Sequence, residues 1–462
     1  MSRMKRLLIP AATALAVTAG GLLVSPSAAA APSCDQASAE YSYVVLYHQR
    51  TPEHLVDSEL RQKCGTKTAY YPEIGVAVAT SRNQDFAEKV GVYRAYSAGK
   101  DVAEATSARA DLRDVERTTE VSAADDLGAQ QWDMRAIQAP EANEVNPGSR
   151  SVTVGVIDSG IEPTHPALKG ALDPAASAGC LTGAADPTPS SWAPTTSDHG
   201  THVAGTIAGQ DTARGFTGVA PGVRLAAVKV VNDEGLIFPE SAVCGFMWSA
   251  RHGFEVTNSS YYVDPGMFYC SKEPGDAAAY EAVRRAVAYS TGKGALNVAA
   301  AGNSAFDIPA QTTDPNRPHP VDRSCAILPG GLDGVVTVSA IGYAGTKSSY
   351  SNYGRGAIDV TAPGGDRAQL PPPGEGAGCP LSTVVGGGYG TKCGTSMASP
   401  HVAGVAALLA STHRHASPRV LTSLLERQAD PVPCGPDPTC TGSPSRNSHY
   451  GHGRVNALTA VL

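Results

Sequence analysis

The stretch Cys393-Gly-Thr-Ser-Met-Ala-Ser-Pro-His-Val-Ala-Gly-Val-Ala-Ala-Leu-Leu409 puts one serine, Ser396, at the head of a run of small apolar residues. The run has almost no polar face, which predicts a buried helix. A helix start offers free N–H groups and a positive dipole end, so it could stabilise an oxyanion. Thr395 and Ser396 are also good N-cap residues, so either side chain could instead cap the helix. The stretch alone therefore leaves open whether Ser396 is a nucleophile or only a cap.

The composition is that of a globular protein long enough for more than one domain. The chain has 462 residues, of which 42% are hydrophobic and 17% charged, and its net charge is −7. This negative balance argues against nucleic acid or an anionic membrane surface as a partner.

The N-terminus has the pattern of a secretory signal. Arg3, Lys5 and Arg6 precede an apolar run over residues 7–24, and Ser25-Pro-Ser-Ala-Ala-Ala-Ala31 follows it. We expect cleavage after Ala30, because Pro32 disfavours a cut one residue later. An uncleaved membrane anchor is the weaker alternative, since Pro10 and two glycines interrupt the run. We expect residues 1–30 to be removed and the protein to be secreted into the extracellular space.

Ten cysteines follow the signal, and an even number in an exported chain predicts disulfide bonds. Cys379 with Cys393 and Cys434 with Cys440 are plausible local loops, and Cys34 with Cys64 would cross-link the first part of the chain. The pairing of the other cysteines stays open. No Cys-x-x-Cys pair supports a zinc site.

The pattern of predicted strands and helices divides the chain into two parts. Residues 41–48 and 70–80 are predicted strands, each followed by a short helix (to about residue 63, and over 81–89), which gives a small α+β module. Residues 97–125 have poor periodicity and are predicted to be a linker or a frayed helix. From residue 131 onward, apolar strands alternate with helices, which predicts a mostly parallel sheet with helices on both faces.

Asp158, His199 and Asn303 stand where side chains could act with Ser396. Asp158 ends a buried strand, and burying a carboxylate is costly unless it is paired. His199 begins a predicted helix, and Asn303 follows another strand. Ligands bind at the carboxyl ends of parallel strands, so these side chains could converge there. Taken singly, each has a structural alternative as a turn or capping residue.

Four motifs together resemble the subtilisin-like serine peptidases, family S8, and occur in that family's order. They are Asp158-Ser-Gly, His199-Gly-Thr-His-Val-Ala-Gly205, Ala301-Gly-Asn303 and Gly394-Thr-Ser-Met-Ala-Ser-Pro-His401. The resemblance covers residues 127–462, and residues 31–100 are more weakly similar to the family's inhibitory propeptide.

This resemblance implies a role for each matched residue. Ser396 would be the nucleophile, His199 the general base, Asp158 its orienting partner, and Asn303 a donor to the oxyanion. His202 and His401 belong to the motifs and are interpreted as structural. Residues 101–126 would be a linker that contains the maturation site. We expect the protein to be a monomeric endopeptidase that cuts proteins or peptides and is inhibited by its own propeptide.

The chain departs from the family pattern at the substrate-binding strand. The family usually has Asn-x-Ser-Leu-Gly there, whereas this chain has Asn258-Ser-Ser260-Tyr261-Tyr262. Tyr262 in place of glycine predicts an altered specificity pocket. No cofactor is predicted. Family members often bind structural calcium, but this chain lacks a dense Asp/Asn loop with calcium-ligand spacing.

The sequence disfavours two other hydrolase classes. An α/β-hydrolase esterase is disfavoured because Ala398 breaks the Gly-x-Ser-x-Gly pattern, and a zinc protease because His199-Gly-Thr-His202 lacks the His-Glu-x-x-His spacing. Two alternatives to a broad endopeptidase remain. One is a dedicated processing protease of narrow specificity, and the other is a non-catalytic binding protein that keeps the fold.

Overall fold

The structure is a computed structural model that describes residue 34 and residues 39–104, 116–121 and 126–462. The predicted signal, residues 1–30, lies outside the described residues. Among the residues described, none forms a helix of the length and apolarity that crossing a membrane requires.

Residues 39–104 form a small antiparallel sheet with three helices, here called the N-terminal module. The sheet has the order β2-β3-β1-β4. Its elements are β1 (Tyr41–Leu46), α1 (Glu53–Gln62), β2 (Thr66–Tyr71), β3 (Val76–Ser81), α2 (Phe86–Val90), β4 (Ala95–Tyr96) and α3 (Ala98–Glu104). After the gap in the described residues, a further short strand is β5 (Thr119–Val121).

The α+β class of the module matches the structure, but two predicted elements were wrong. The single strand expected over residues 70–80 is two strands, because a tight turn with Gly75 at φ +62° reverses the chain between β2 and β3. The helix expected over 81–89 begins only at Phe86. Ser81 still pairs with Tyr41 in the sheet, so it cannot begin a helix.

The larger part of the chain follows the predicted alternation of strands and helices. Its helices are α4 (Trp132–Ala136), α5 (Ala139–Val145), α6 (Pro189–Trp192), α7 (His199–Ala208), α8 (Pro239–Arg251), α9 (Asp276–Gly292), α10 (Thr395–Thr412) and α11 (Pro418–Gln428). Its strands are β6 (Thr153–Asp158), β7 (Ala178–Gly179), β8 (Gln210–Asp211), β9 (Phe216–Thr217), β10 (Arg224–Lys229), β11 (Val256–Ser259), β12 (Phe268–Cys270), β13 (Leu296–Ala300), β14 (Cys325–Ile327), β15 (Val335–Ile341), β16 (Val360–Pro363), β17 (Leu381–Val384), β18 (Gly388–Thr391), β19 (Gly442–Ser443) and β20 (Arg446–Asn447).

A seven-stranded sheet, ordered β16-β15-β13-β11-β6-β10-β7, forms the centre. Its pairs are all parallel. Successive residues of a strand face opposite sides, and β10 shows how both sides are filled. Leu225 and Ala227 join the apolar cluster that contains α7 and α10, whereas Ala226 and Val228 join the cluster of α8 and α9. The predicted three-layer α/β architecture is confirmed.

The N-terminal module packs its sheet against α8 and α9. Val44, Val76 and Tyr96 of the module share one apolar cluster with those two helices. Arg285 on α9 adds a polar link, because its Nη1 donates to the carbonyl oxygens of Tyr47 at 2.9 Å and Ile74 at 3.0 Å. The contact therefore combines apolar burial with charge-assisted hydrogen bonds.

All ten cysteines are paired. The three expected bridges, Cys34–Cys64, Cys379–Cys393 and Cys434–Cys440, are present. The two pairs that the sequence left open are Cys180–Cys244 and Cys270–Cys325. Cys270 and Cys325 are also directly paired across β12 and β14, so this bridge joins two neighbouring strands.

Candidate active site

The four residues singled out by the motifs converge at the carboxyl edge of the central sheet. Asp158 is the last residue of β6, and His199 is the first of α7. Asn303 follows β13 by three residues, and Ser396 is the second residue of α10. Because the strands are parallel, their carboxyl ends lie at one edge, and all four side chains line one cleft there.

Asp158 and His199 form a buried pair. The Asp158 side chain is 1% exposed, and its Oδ1 lies 2.8 Å from Nδ1 of His199. The same oxygen accepts a hydrogen bond from the backbone N–H of Ser159 at 2.7 Å. A carboxylate held in this way fixes the ring so that Nε2 is the nitrogen left to face the cleft.

Ser396 does not cap its helix, so the capping interpretation is wrong. Gly394 holds the N-cap position with φ +152°, and the helix begins at Thr395. A side chain at residue 394 would also meet the Glu116 side chain at 3.0 Å, which favours glycine there. The Ser396 hydroxyl is thereby free to face the cleft, where it lies 2.5 Å from Oε1 of Glu116 and 3.0 Å from the carbonyl oxygen of Ser260.

Asn303 is oriented by the residue that precedes Ser396. Its Oδ1 accepts hydrogen bonds from the backbone N–H and the hydroxyl of Thr395, at 2.9 and 2.8 Å. The amide nitrogen must then point the other way, and Nδ2 donates to Oε1 of Glu116 at 2.8 Å. The donor of Asn303 and the hydroxyl of Ser396 therefore meet at one carboxylate oxygen.

Glu116 is the site residue that sequence reasoning missed. Its Oε2 also lies 3.3 Å from Nε2 of His199, so one carboxylate contacts three of the four predicted residues. Nothing in the local sequence distinguishes Glu116 from the other acids of the predicted linker. Its importance depends on the path of the chain, which no motif encodes.

The charges of the cleft change the pKa values of its groups in opposite directions. Burial alone would lower the pKa of His199, but the Asp158 and Glu116 carboxylates outweigh it and raise that pKa to about 10. Burial alone would raise the pKa of Glu116, but the His199 ring and the hydrogen bonds from Ser396 and Asn303 lower it overall. In this state the imidazole is held as a cation and the carboxyl as an anion.

The predicted substrate-binding residues, Ser260, Tyr261 and Tyr262, line the same cleft. The Ser260 hydroxyl donates to the carbonyl oxygen of Ser396 at 2.8 Å, which ties this strand end to α10. Tyr262 is half-buried and packs against an apolar cluster that contains Met267 and Phe268. Its ring occupies space that a glycine would leave open.

The two other motif histidines are buried. His202 has its Nε2 3.1 Å from the carbonyl oxygen of Gly390, and burial, followed by the positive charge of Lys392, lowers its pKa to about 3. His401 lies between the carbonyl oxygen of Met397 at 2.7 Å and the Asp133 carboxylate at 3.0 Å. These contacts fit the structural interpretation of both residues.

A parallel sheet between two helical layers, with an acid, a histidine and a serine at its carboxyl edge, defines the class of serine hydrolases. The model of the subtilase family matches residues 149–453, and the chain belongs to this family. It is therefore a serine endopeptidase.

Individual relatives agree with this assignment. Subtilisin BL of Lederbergia lenta is 32% identical over 333 residues, which span 71% of this chain and 98% of that protein. A thermophilic serine proteinase of Bacillus sp. (strain AK1) is 31% identical over 320 residues, or 69% of this chain, and the match spans 63% of that protein's length.

Two solved structures extend the comparison to the fold. The epidermin leader peptide processing serine protease of Staphylococcus aureus superimposes with a TM-score of 0.71, at 21% identity over 92% of this chain and 98% of that one. A protease of Pseudoalteromonas arctica gives a TM-score of 0.55, at 27% identity over 74% of this chain and 99% of that one.

Proposed function

We propose that this chain is a secreted serine endopeptidase, made as an inhibited precursor, with Ser396, His199 and Asp158 as its catalytic residues. Ser396 Oγ attacks the scissile carbonyl carbon while His199 Nε2 takes the hydroxyl proton. Asp158 keeps the imidazole oriented and stabilises its cation. The same His199 then gives its proton to the leaving amine, and water hydrolyses the acyl-enzyme by the reverse sequence of proton transfers.

The convergence of Ser396 and Asn303 on one anionic oxygen is the observation that carries this proposal. Glu116 Oε1 accepts from the Ser396 hydroxyl at 2.5 Å and from Asn303 Nδ2 at 2.8 Å. A tetrahedral intermediate on Ser396 would place its negative oxygen within reach of the same amide. Asn303 is thus a donor prepositioned for developing charge, which is the arrangement that accelerates acyl transfer.

We interpret residues 31–100 as a propeptide that, together with the linker over 101–126, inhibits the enzyme until it is removed. Two observations support this. The N-terminal module is packed on α8 and α9, and Glu116 occupies the cleft at Ser396. While Glu116 is there, His199 is held as a cation and cannot accept a proton from Ser396. The signal sequence and five disulfides support secretion.

A dedicated processing protease is the second candidate, and Tyr262 favours it. A tyrosine at the specificity pocket narrows the set of side chains that can enter, and the Staphylococcus aureus structure with the same fold is a leader-peptide processing protease. Cleavage of a peptide library by the wild type and by Tyr262→Gly separates the two candidates. A broader pattern in the variant supports narrow specificity, whereas an unchanged pattern contradicts it.

Active-site labelling tests the enzyme itself. A fluorophosphonate probe should label the processed protein, and Ser396→Ala should reduce the labelling to background. Ser304→Ala is the matched control, because Ser304 follows Asn303 in the chain but makes no side-chain hydrogen bond in the described part of the chain. Absence of labelling in the processed wild type would favour a non-catalytic binding protein that keeps the fold.

A further inference from the structure

Residues 116–121, here called the Glu116 segment, extend along the molecule from Ser396. Glu116 contacts the Ser396 hydroxyl, and the residues after it form β5, which pairs antiparallel with β18. The register is Thr119 with Thr391, Glu120 with Gly390, and Val121 with Tyr389. The other edge of β18 pairs with β17, so the segment completes a three-stranded sheet.

Side chains of the peptidase part hold the first half of this segment by its backbone. Lys392 Nζ donates to the carbonyl oxygen of Glu116 at 3.2 Å, and Arg367 Nη2 donates to that of Arg117 at 2.8 Å. Lys392 is itself fixed by an ion pair with Asp198 at 2.9 Å. Contacts to carbonyl oxygens do not depend on which side chains the bound segment carries, so they would hold other sequences equally well.

The far end of the segment meets an apolar surface. Val121 packs against a buried cluster made of Leu127, Ala167, Phe216, Leu381 and Tyr389. This cluster belongs to the structure around β17 and β18, and it gives the fifth residue after Glu116 an apolar environment. Glu120, one residue earlier, is exposed.

The direction of the chain identifies what such a site would bind. Residue numbers increase from Glu116 at the nucleophile toward Val121 on β18, so the segment follows the path of residues C-terminal to the one at Ser396. A substrate bound for cleavage has its leaving-group residues on that side. When the Glu116 segment departs, the edge of β18 loses its partner, and an unpaired edge accepts an extended chain by strand addition.

We propose that residues 389–391 of β18 form a binding site for the leaving-group side of the substrate. The site takes an extended polypeptide that continues for about five residues beyond the nucleophile and favours an apolar side chain at the position of Val121. The substrates are then internal segments of longer chains, and peptides that end shortly after the scissile bond are poor substrates. This inference rests on the proposed function and deepens it.

Two peptide substrates with the same residues before the scissile bond provide the test. One ends two residues after the bond, and the other continues for six with an apolar residue near the end. The processed wild-type enzyme should cleave the longer peptide with a kcat/KM at least tenfold higher. Single N-methyl groups on successive amides of the longer peptide should reduce this advantage at every second position, because alternate amides of a strand face its partner. A length effect from apolar contact alone would show no such alternation.

Gly390→Val and Gly388→Val provide a matched pair of enzyme variants. A Cβ at residue 390 would lie 3.0 Å from the side chains of Thr118 and of Val384 on β17, and 3.2 Å from the Thr119 carbonyl oxygen, so it obstructs the path of the bound strand. A Cβ at residue 388 meets only Val384, at 3.5 Å. The ratio of kcat/KM for long and short peptides should fall toward one in Gly390→Val and keep its wild-type value in Gly388→Val.

The outcomes distinguish the strand-binding site from the proposed peptidase function on which it rests. Equal kcat/KM for both peptides in the wild type, or N-methyl effects without alternation, would overturn the strand site and leave the peptidase intact. Failure to cleave either peptide, together with absent fluorophosphonate labelling, would overturn both. If Gly390→Val does not fold, the N-methyl series on the wild type still decides.

Discussion

Among single residues, Glu116 acts with Asp158 to raise the pKa of His199 in the proposed precursor. Burial lowers the pKa of His199, but Asp158 and Glu116 together raise it to about 10. Glu116→Gln removes one of these two charges, so we expect the pKa of His199 to fall. Each unit of that fall increases the neutral, base-competent fraction about tenfold at pH values below the pKa. Histidine NMR titration of the precursor in a Ser396→Ala background, which cannot process itself, measures the change.

Glu120→Gln is the control for this prediction, since Glu120 lies in the same Glu116 segment but is exposed. The pH dependence has a defined sign. The raised pKa of His199 stabilises the folded chain fully below pH 6.5, and this contribution is lost as the pH rises toward about 10. The lowered pKa of Glu116 adds stability above 4.5 that is lost in acid. An identical His199 titration in Glu116→Gln would contradict the role given to Glu116.

Single residues also show where sequence reasoning ends. Asp158, His199, Asn303 and Ser396 could be found because each lies in a local motif, and those motifs encode the strand ends and helix starts that bring them together. Glu116 could not be found, because it reaches Ser396 from a distance of 280 residues along the chain. Its chemistry is that of any surface glutamate until the fold places it beside a histidine.

At the level of elements, the hairpin of β17 and β18 presents the start of α10. The Cys379–Cys393 bridge closes the base of this hairpin one residue before Gly394. A bridge that closes a loop of 14 residues lowers the conformational entropy of the unfolded chain. Removal of this bridge should therefore lower the free energy of unfolding by about 3 kcal/mol. We expect Cys379→Ser/Cys393→Ser to lower both the midpoint of denaturant unfolding and kcat, because the turn before Ser396 loses its anchor.

The Cys434–Cys440 bridge provides the comparison for this element. It closes a loop of 6 residues and lies away from the cleft, so its removal should lower stability by about 2 kcal/mol and leave kcat unchanged. Equal effects of both double variants on kcat would show that the hairpin does not position Ser396.

Elements with strong local signals, such as α7 and α10, were predicted well, whereas β2 and β3 were merged because the turn at Gly75 interrupts a continuous apolar run.

For the whole molecule, the proposal that the N-terminal module inhibits the enzyme predicts that its contact with α8 and α9 determines how long inhibition lasts after the linker is cut. Arg285 donates to three module carbonyl oxygens, those of Tyr47, Ile74 and Gly75, and is held by Glu281 at 2.7 Å. Hydrogen bonds from a charged group contribute about 1.5–3 kcal/mol each. Arg285→Ala should therefore shorten the lag between cleavage and the appearance of peptidase activity by tenfold or more. Arg284→Ala is the matched control, because Arg284 pairs with the same Glu281 but has no hydrogen bond to the described residues of the module. A lag that is unchanged in Arg285→Ala would mean that the Glu116 segment, rather than the module, sets the rate of release.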